Sequence, residues 1–178
     1  MSKEIVEFLD LGMQPMANAF LKKNQLLKKE QKYKLTICYN KINYMVSIKN
    51  TFSSKRMFNN KYPYRSSMSK SVQKSFLYLT DKIKKKFKPK NILEIGSNDG
   101  AFIKYFEKKK VVGIEPCANV EVITKRMGFK TYPKFWNDKT SRMILKRHGK
   151  FDLIFSANTL SHIRNLNNVF KNIYKVLN

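Results

Sequence analysis

Asn91-Ile-Leu-Glu-Ile-Gly-Ser-Asn-Asp-Gly100 runs from an apolar stretch straight into a loop bounded by two glycines. Ile92 to Ile95 is short and apolar, the pattern of a strand buried on both faces. Gly96 and Gly100 allow a sharp backbone turn and the close approach of a ligand. Ligands of open α/β sheets bind outside the carboxyl ends of the strands, so this turn is the first candidate site. The G-x-x-x-G spacing is not the G-x-G-x-x-G of dinucleotide folds. It is not a P-loop either, because no Gly-Lys-Ser/Thr follows.

Outward from this loop the chain alternates between strand and helix. Upstream, Ser69 is a plausible N-cap, and Val72, Phe76, Leu79, Ile83 and Phe87 recur at helical spacing until Pro89 stops the helix. Downstream, the pattern predicts a helix over Ala101–Lys109, a buried strand over Val111–Ile114 and a helix over Ala118–Met127 closed by Gly128. A weak strand over Phe129–Tyr132, a helix over Lys139–Arg147, a strong strand over Phe151–Phe155 and a helix over Leu166–Leu177 follow. Such alternation with uninterrupted apolar strands predicts a parallel sheet covered by helices on both faces. The first 60 residues read differently. Lys34–Cys38 and Tyr44–Ile48 are rich in β-formers around the turn-prone Asn40-Lys-Ile-Asn43, which predicts a hairpin in a small N-terminal module. Between the two regions, Tyr62-Pro-Tyr-Arg-Ser-Ser-Met-Ser69 reads as a loop.

Composition narrows the function classes. The apolar fraction of 42% is that of a globular chain. No apolar run approaches the roughly 20 residues that span a bilayer, and the N-terminus lacks a signal-peptide pattern. Cys38 and Cys117 form neither metal-ligand spacing nor a disulfide framework, so the expected compartment is the reducing cytoplasm. The net charge is +25, from 37 Lys and Arg against 12 Asp and Glu. Nucleic acid is one partner such a charge would suit. The basic residues are nevertheless scattered along the chain and Lys far outnumbers Arg, which fits compositional bias better. A positive field also attracts smaller anionic substrates.

Two further segments carry chemistry. Val111-Val-Gly-Ile-Glu-Pro116 puts Glu115 at the end of the next strand, where a carboxylate can accept hydrogen bonds from ribose hydroxyls. Alone, Glu115 would be an ordinary solvated strand end. Phe151-Asp-Leu-Ile-Phe-Ser-Ala-Asn-Thr-Leu-Ser-His162 ends at the same sheet edge, so Asn158 and His162 would face the same cleft. A histidine there can serve as a general base or an orienting donor. Taken alone, His162 reads as a surface residue at a helix start.

The Glu94-x-Gly96-x-x-x-Gly100 pattern is similar to motif I of class I methyltransferases. Together with Phe8–Phe20, Tyr62–Ser69, Gly113–Asn119 and Ser156–His162, in this order, the chain resembles the sugar C-methyltransferase family, which acts on deoxy-keto nucleotide-sugars. The resemblance implies that Glu94, Gly96, Ser97, Asp99 and Gly100 form the S-adenosylmethionine loop, with Glu115 on the ribose and Asn158 lining the pocket. It also implies that His162 and Tyr64 face the substrate. Removal of a proton beside a ketone would yield an enolate that takes up the methyl group.

The chain departs from the family pattern at both ends. The family's N-terminal module holds zinc with two Cys pairs. Here only Cys38 remains, with Lys41 where its partner would stand, so no zinc is expected. The family's third domain has no counterpart, and the sheet ends early. The expected architecture is therefore an α/β chain. It combines an incomplete Rossmann-like sheet of about four parallel strands with a small β-containing N-terminal remnant. The expected divisions are a degenerate zinc-binding-type module over 1–60, a substrate loop and linking helix over 61–90, and a C-terminally truncated cofactor domain over 91–178. The open sheet edge would call for a complementing chain or self-association. A non-catalytic cofactor-binding subunit is the competing reading. A nucleic-acid methyltransferase is disfavoured, because Ser156-Ala-Asn-Thr-Leu160 lacks the proline-containing target-base motif.

Overall fold

The computed structural model describes residues 4–178, which divide into two compact units, one ending at Met57 and one beginning at Phe58. In the first unit, β1 (Ile5–Pro15), β2 (Lys32–Asn40) and β3 (Val46–Ile48) form an antiparallel sheet in the order β1-β2-β3. The expected hairpin is β2–β3, with Cys38 opposite Ser47. Asn40 shapes its turn by accepting the Ile42 amide at 2.8 Å. The long strand β1 went unread in the sequence. It is almost wholly exposed and bulged, so it lacks the two-residue alternation that marks a half-buried strand. A single turn of helix, α1 (Ser54–Met57), ends this unit.

The second unit is built on four parallel strands: β4 (Ile92–Ile95), β5 (Val111–Ile114), β6 (Lys130–Tyr132) and β7 (Leu153–Phe155). Their order is β6-β5-β4-β7, and every pair is parallel. The chain therefore steps outward from β4 to β6, then crosses back to place β7 on the other side of β4. That reversal makes the carboxyl ends of β4 and β7 a topological switch point. Among the described residues, β7 pairs on its outer side only through the isolated bridge from Phe151 to Leu177.

Helices cover both faces. Leu93, Ile95, Val112 and Ile114 point to one face, where Ile144 of α4 (Asp138–His148) and Val169 and Val176 of α5 (Leu166–Val176) meet them. Ile92 and Val111 point to the other, under Ile83 of α2 (Lys70–Lys86), Phe102, Ile103 and Phe106. α3 (Ala118–Arg126) connects β5 to β6, and Gly128 follows it with φ +87°. No helix among the described residues is long and apolar enough to cross a membrane.

Two local expectations are corrected. Ala101–Lys109 is not an α-helix but two short 3₁₀ turns, Ile103–Tyr105 and Lys108–Lys110. Ala101, Phe102 and Ile103 are all buried in succession, and a helix offers only one buried face. On α2, Ser69 does cap the N-terminus by accepting the Val72 amide. The buried residues of this helix are Thr80 and Ile83, with Phe76 packed on the same core, whereas Leu79 and Phe87 are exposed. Thr80 can sit on the buried stripe because its hydroxyl donates to the Leu77 carbonyl at 2.8 Å. Phe87 lies past the last helical residue, so the helical period no longer aims it inward.

Candidate functional site

The turn after β4 folds under the end of β5. The amides of Gly96 and Ser97 both donate to the Ile114 carbonyl, at 2.7 and 3.0 Å. Gly96 has φ +79°, a conformation that favours glycine. A methyl group there would also overlap Thr159 Oγ1, with Thr159 Cγ2 at 2.8 Å. The loops after β4 and β7 are therefore pressed together at the switch point. Ser156 reinforces the contact, its hydroxyl donating to the Ile95 carbonyl at 2.9 Å.

Three carboxylates converge on this loop, and each is buried: Glu94, Asp99 and Glu115. Glu115 accepts the Asn98 amide through Oε2 and the Cys117 amide through Oε1, both at 2.9 Å. Burial raises its pKa, and these donors and Arg65 pull it back. Glu94 lies near the end of β4, just before the loop, and its Oε2 has no hydrogen-bond partner. Burial pushes its carboxyl well above the ordinary range, and the charges of Glu115 and Asp99 push it further. Ser97 Oγ is likewise buried and unpartnered. Two orphaned polar atoms, one near the end of β4 and one in the loop that follows, are costly unless a ligand pairs with them.

Glu94 makes a prediction about pH. Below its ordinary value of 4.5, folded and unfolded chains both keep the proton. As pH rises, the unfolded chain releases that proton first, so the folded state binds more protons and stability falls until the folded group also ionises. Glu94→Gln should flatten this part of the profile. Thermal midpoints of variant and wild type should converge near pH 4 and separate as pH rises above the ordinary value of 4.5, with the variant higher. Parallel profiles would show that Glu94 is not the group responsible.

Asp99 also bonds to the Tyr62–Ser69 segment. It accepts the amide of Ser67 at 3.2 Å and its hydroxyl, and Asn98 Oδ1 accepts the Ser66 amide at 2.9 Å. Asn119 Nδ2, at the start of α3, donates to the Tyr62 carbonyl at 2.9 Å. The Tyr62–Ser69 loop is thereby strapped across the loop that follows β4. Its aromatic residues join a chain of rings. Tyr64 meets Tyr62 edge-on at 6.5 Å, Tyr62 meets Phe58 at 5.3 Å, and Phe58 meets the His162 ring edge-on at 5.4 Å. His162 is exposed, in a short turn after β7, and Tyr64 is half exposed. Asn158 is exposed in the left-handed conformation, with φ +53°, which asparagine tolerates. Gly100 has φ +84°, and a methyl group there would meet Thr124 Cγ2 at 2.9 Å.

Residues 64–178 match the family model described as "Methyltransferase domain". The chain belongs to this methyltransferase family. Residues 1–58 match a second model, described as "Putative zinc binding domain". No curated protein matches the chain. Among solved structures, the chain is similar to the plantazolicin methyltransferase BpumL in complex with SAH. The identity is 17%, over 58% of this chain and 42% of that one, with a TM-score of 0.46. It is also similar to the plantazolicin methyltransferase BamL in complex with a triazolic desmethylPZN analog and SAH. There the identity is 19%, over 61% and 44% of the two chains, with a TM-score of 0.47. The methyltransferase chain thus spans less than half the length of these structures.

The donors of the first unit can be tested against zinc. Cys38 is its one cysteine, and it contains no histidine. Cys38 is buried, with Sγ donating to the Ser47 carbonyl at 3.4 Å. Among the described residues no group of three or more His, Cys, Asp and Glu could hold a metal ion. These residues do not fit a four-coordinate zinc site.

Sequence reasoning about this methyltransferase missed Phe58, Asn98, Ser66, Ser67, Asn119 and Thr159. Only Asn98 carried a local signal, lying inside the glycine-bounded loop with a residue type suited to its φ of +46°.

Proposed function

We propose that the second unit binds S-adenosylmethionine in the Gly96–Gly100 loop and transfers its methyl group to the carbon of a deoxy-keto nucleotide-sugar. The observation that carries this reading is the pair of orphaned polar atoms, Glu94 Oε2 and Ser97 Oγ, beside Glu115 at the switch point. A cofactor with an ammonium group and two ribose hydroxyls matches that donor and acceptor set. Glu94 and Ser97 take the amino-acid portion, Gly96 and Gly100 allow the close approach, and Glu115 accepts from the ribose. Asn158 lines the pocket. When bound, the cofactor supplies an electrophilic methyl group.

His162 takes the proton beside the ketone, and Tyr64 hydrogen-bonds the substrate. The aromatic row of Phe58, Tyr62 and Tyr64 offers faces on which a sugar ring can rest. The net charge of +25 favours a substrate that carries phosphate. The divisions of the chain follow the same reading: a degenerate zinc-binding-type module over 1–60, a strap and linking helix over 61–90, and a cofactor domain over 91–178. The outer edge of β7 is where a complementing chain would add. Two free cysteines suit the cytoplasm.

Isothermal titration of the purified chain with S-adenosylhomocysteine tests the cofactor site. Wild type should bind. Glu115→Ala should weaken binding roughly 10- to 100-fold, the value of hydrogen bonds to a charged acceptor. A folded wild type that releases no heat would sink the proposal. Methyl transfer to a keto-sugar nucleotide, assayed with labelled cofactor, then tests the substrate class. Binding without turnover would leave a cofactor-binding subunit.

A further inference from the structure

The loop after β4 does two things at once. Its backbone and Glu115 form the proposed cofactor cradle, while two of its side chains turn outward to the strap. Asn98 joins both sides. Its amide donates to Glu115 Oε2, its Oδ1 accepts the Ser66 amide, and its Nδ2 reaches the Tyr64 carbonyl at 3.4 Å. The φ of +46° sends the Asn98 amide toward Glu115 and the side chain toward the strap. Asp99 holds Ser67 through both its amide and its hydroxyl. Gln73 Nε2 of α2 donates to the Ser67 carbonyl, and Asn119 fixes the other end at Tyr62.

We infer that Asn98 and Asp99 are positioning residues that couple the cofactor loop to the strap carrying Tyr62 and Tyr64. The inference rests on reading Gly96–Gly100 as the cofactor loop. A ligand that bonds to Glu115 acts on the group that also holds the Asn98 amide. Asn98 in turn holds Ser66 and Tyr64. Filling the cradle and ordering the strap are therefore linked, and the linkage is reciprocal. The aromatic row against His162 is set for substrate when the cradle is filled, so cofactor and sugar each raise the other's affinity.

Hydrogen exchange on the full chain, with and without saturating S-adenosylhomocysteine, tests this. In wild type the Ser66 and Ser67 amides exchange slowly, and the ligand slows them further. Asp99→Ala should speed exchange at Ser67 by about tenfold and remove the ligand-induced protection of the strap, with β4 amides unchanged. Asp99→Asn retains an acceptor and should recover most of the protection, which a general loss of packing would not allow. Equal protection of Ser67 in wild type and Asp99→Ala overturns the role of Asp99. If β4 amides also accelerate in Asp99→Ala, Ser67→Ala decides instead. It should weaken S-adenosylhomocysteine binding a few-fold with β4 unchanged, and unaltered affinity overturns the coupling. If wild type does not bind the ligand, the cofactor reading fails on that result alone. Exchange at Ser67 in Asp99→Ala then still supports the clamp if it rises and overturns it if it does not.

Discussion

Gly96→Ala should abolish S-adenosylhomocysteine binding and lower the thermal midpoint by roughly 10 °C. Two costs add at this position. A side chain at φ +79° carries left-handed strain of about 1–2 kcal/mol. The new methyl group also runs into Thr159, whose Oγ1, Cγ2 and Cβ all crowd the site, an overpacking cost of about 1–3 kcal/mol. Relief requires the loops after β4 and β7 to part, and that separation dismantles the cradle. Gly149→Ala is the control. It has φ +72° and ψ −155°, backbone that only glycine adopts readily, but nothing within 4 Å of the added methyl group, so it should show backbone strain alone, about 1–3 kcal/mol, with ligand binding intact. Adding Thr159→Gly to Gly96→Ala should recover the part of the midpoint lost to overlap. Calorimetry reads both quantities. A Gly96→Ala variant that Thr159→Gly does not rescue would show that the two loops are not in contact.

Phe102→Ala should cost about 3–5 kcal/mol, the range for a fully buried phenylalanine. Phe102 is wholly inaccessible and stacks on Phe155 of β7, with centroids 3.7 Å apart and planes 16° from parallel. It also meets Phe76 of α2 edge-on at 5.6 Å and Phe106 at 5.3 Å. One ring thus ties the segment after the cofactor loop to the outer strand and to the helix that follows the strap. Removing it opens a cavity where three elements meet. Urea denaturation should show a lower midpoint with an unchanged slope. Phe102→Leu should lose about half as much, because it retains most of the volume. A loss under about 1.5 kcal/mol for Phe102→Ala would mean that the aromatic cluster is not closed.

Much of the second unit was legible because its signals are local. Ile92–Ile95 and Val111–Ile114 are short, largely apolar runs followed by glycine or an acidic residue, and their alternation with amphipathic helices points to a parallel, doubly covered sheet. Ser69 before an amphipathic run marked the start of α2, and Gly128 the end of α3. The failures are also physical. Ala101–Lys109 has helical composition, yet successive residues there are needed in the core, and that demand overrode propensity. Strand β1 is paired but hardly buried, so nothing in its residue pattern distinguishes it from a loop.

The candidate site divides in the same way. The proposed cradle residues Glu94, Gly96, Ser97, Asp99, Gly100 and Glu115 could be named from sequence, because the motif on which the family resemblance rests is encoded within a few residues. The assignment of Asp99 to the strap, the press of Thr159 on Gly96 and the contact of Phe58 with His162 could not. Those pairs lie 32, 63 and 104 residues apart for Ser67–Asp99, Gly96–Thr159 and Phe58–His162. The last two meetings depend on the order β6-β5-β4-β7, which returns the chain to the side of β4 and brings the loop after β7 against the loop after β4. The sequence by itself determined which strands are buried and where the backbone must turn. The tertiary structure decided which side chains face the cradle and which hold the strap, because that follows from strand order and not from any local preference.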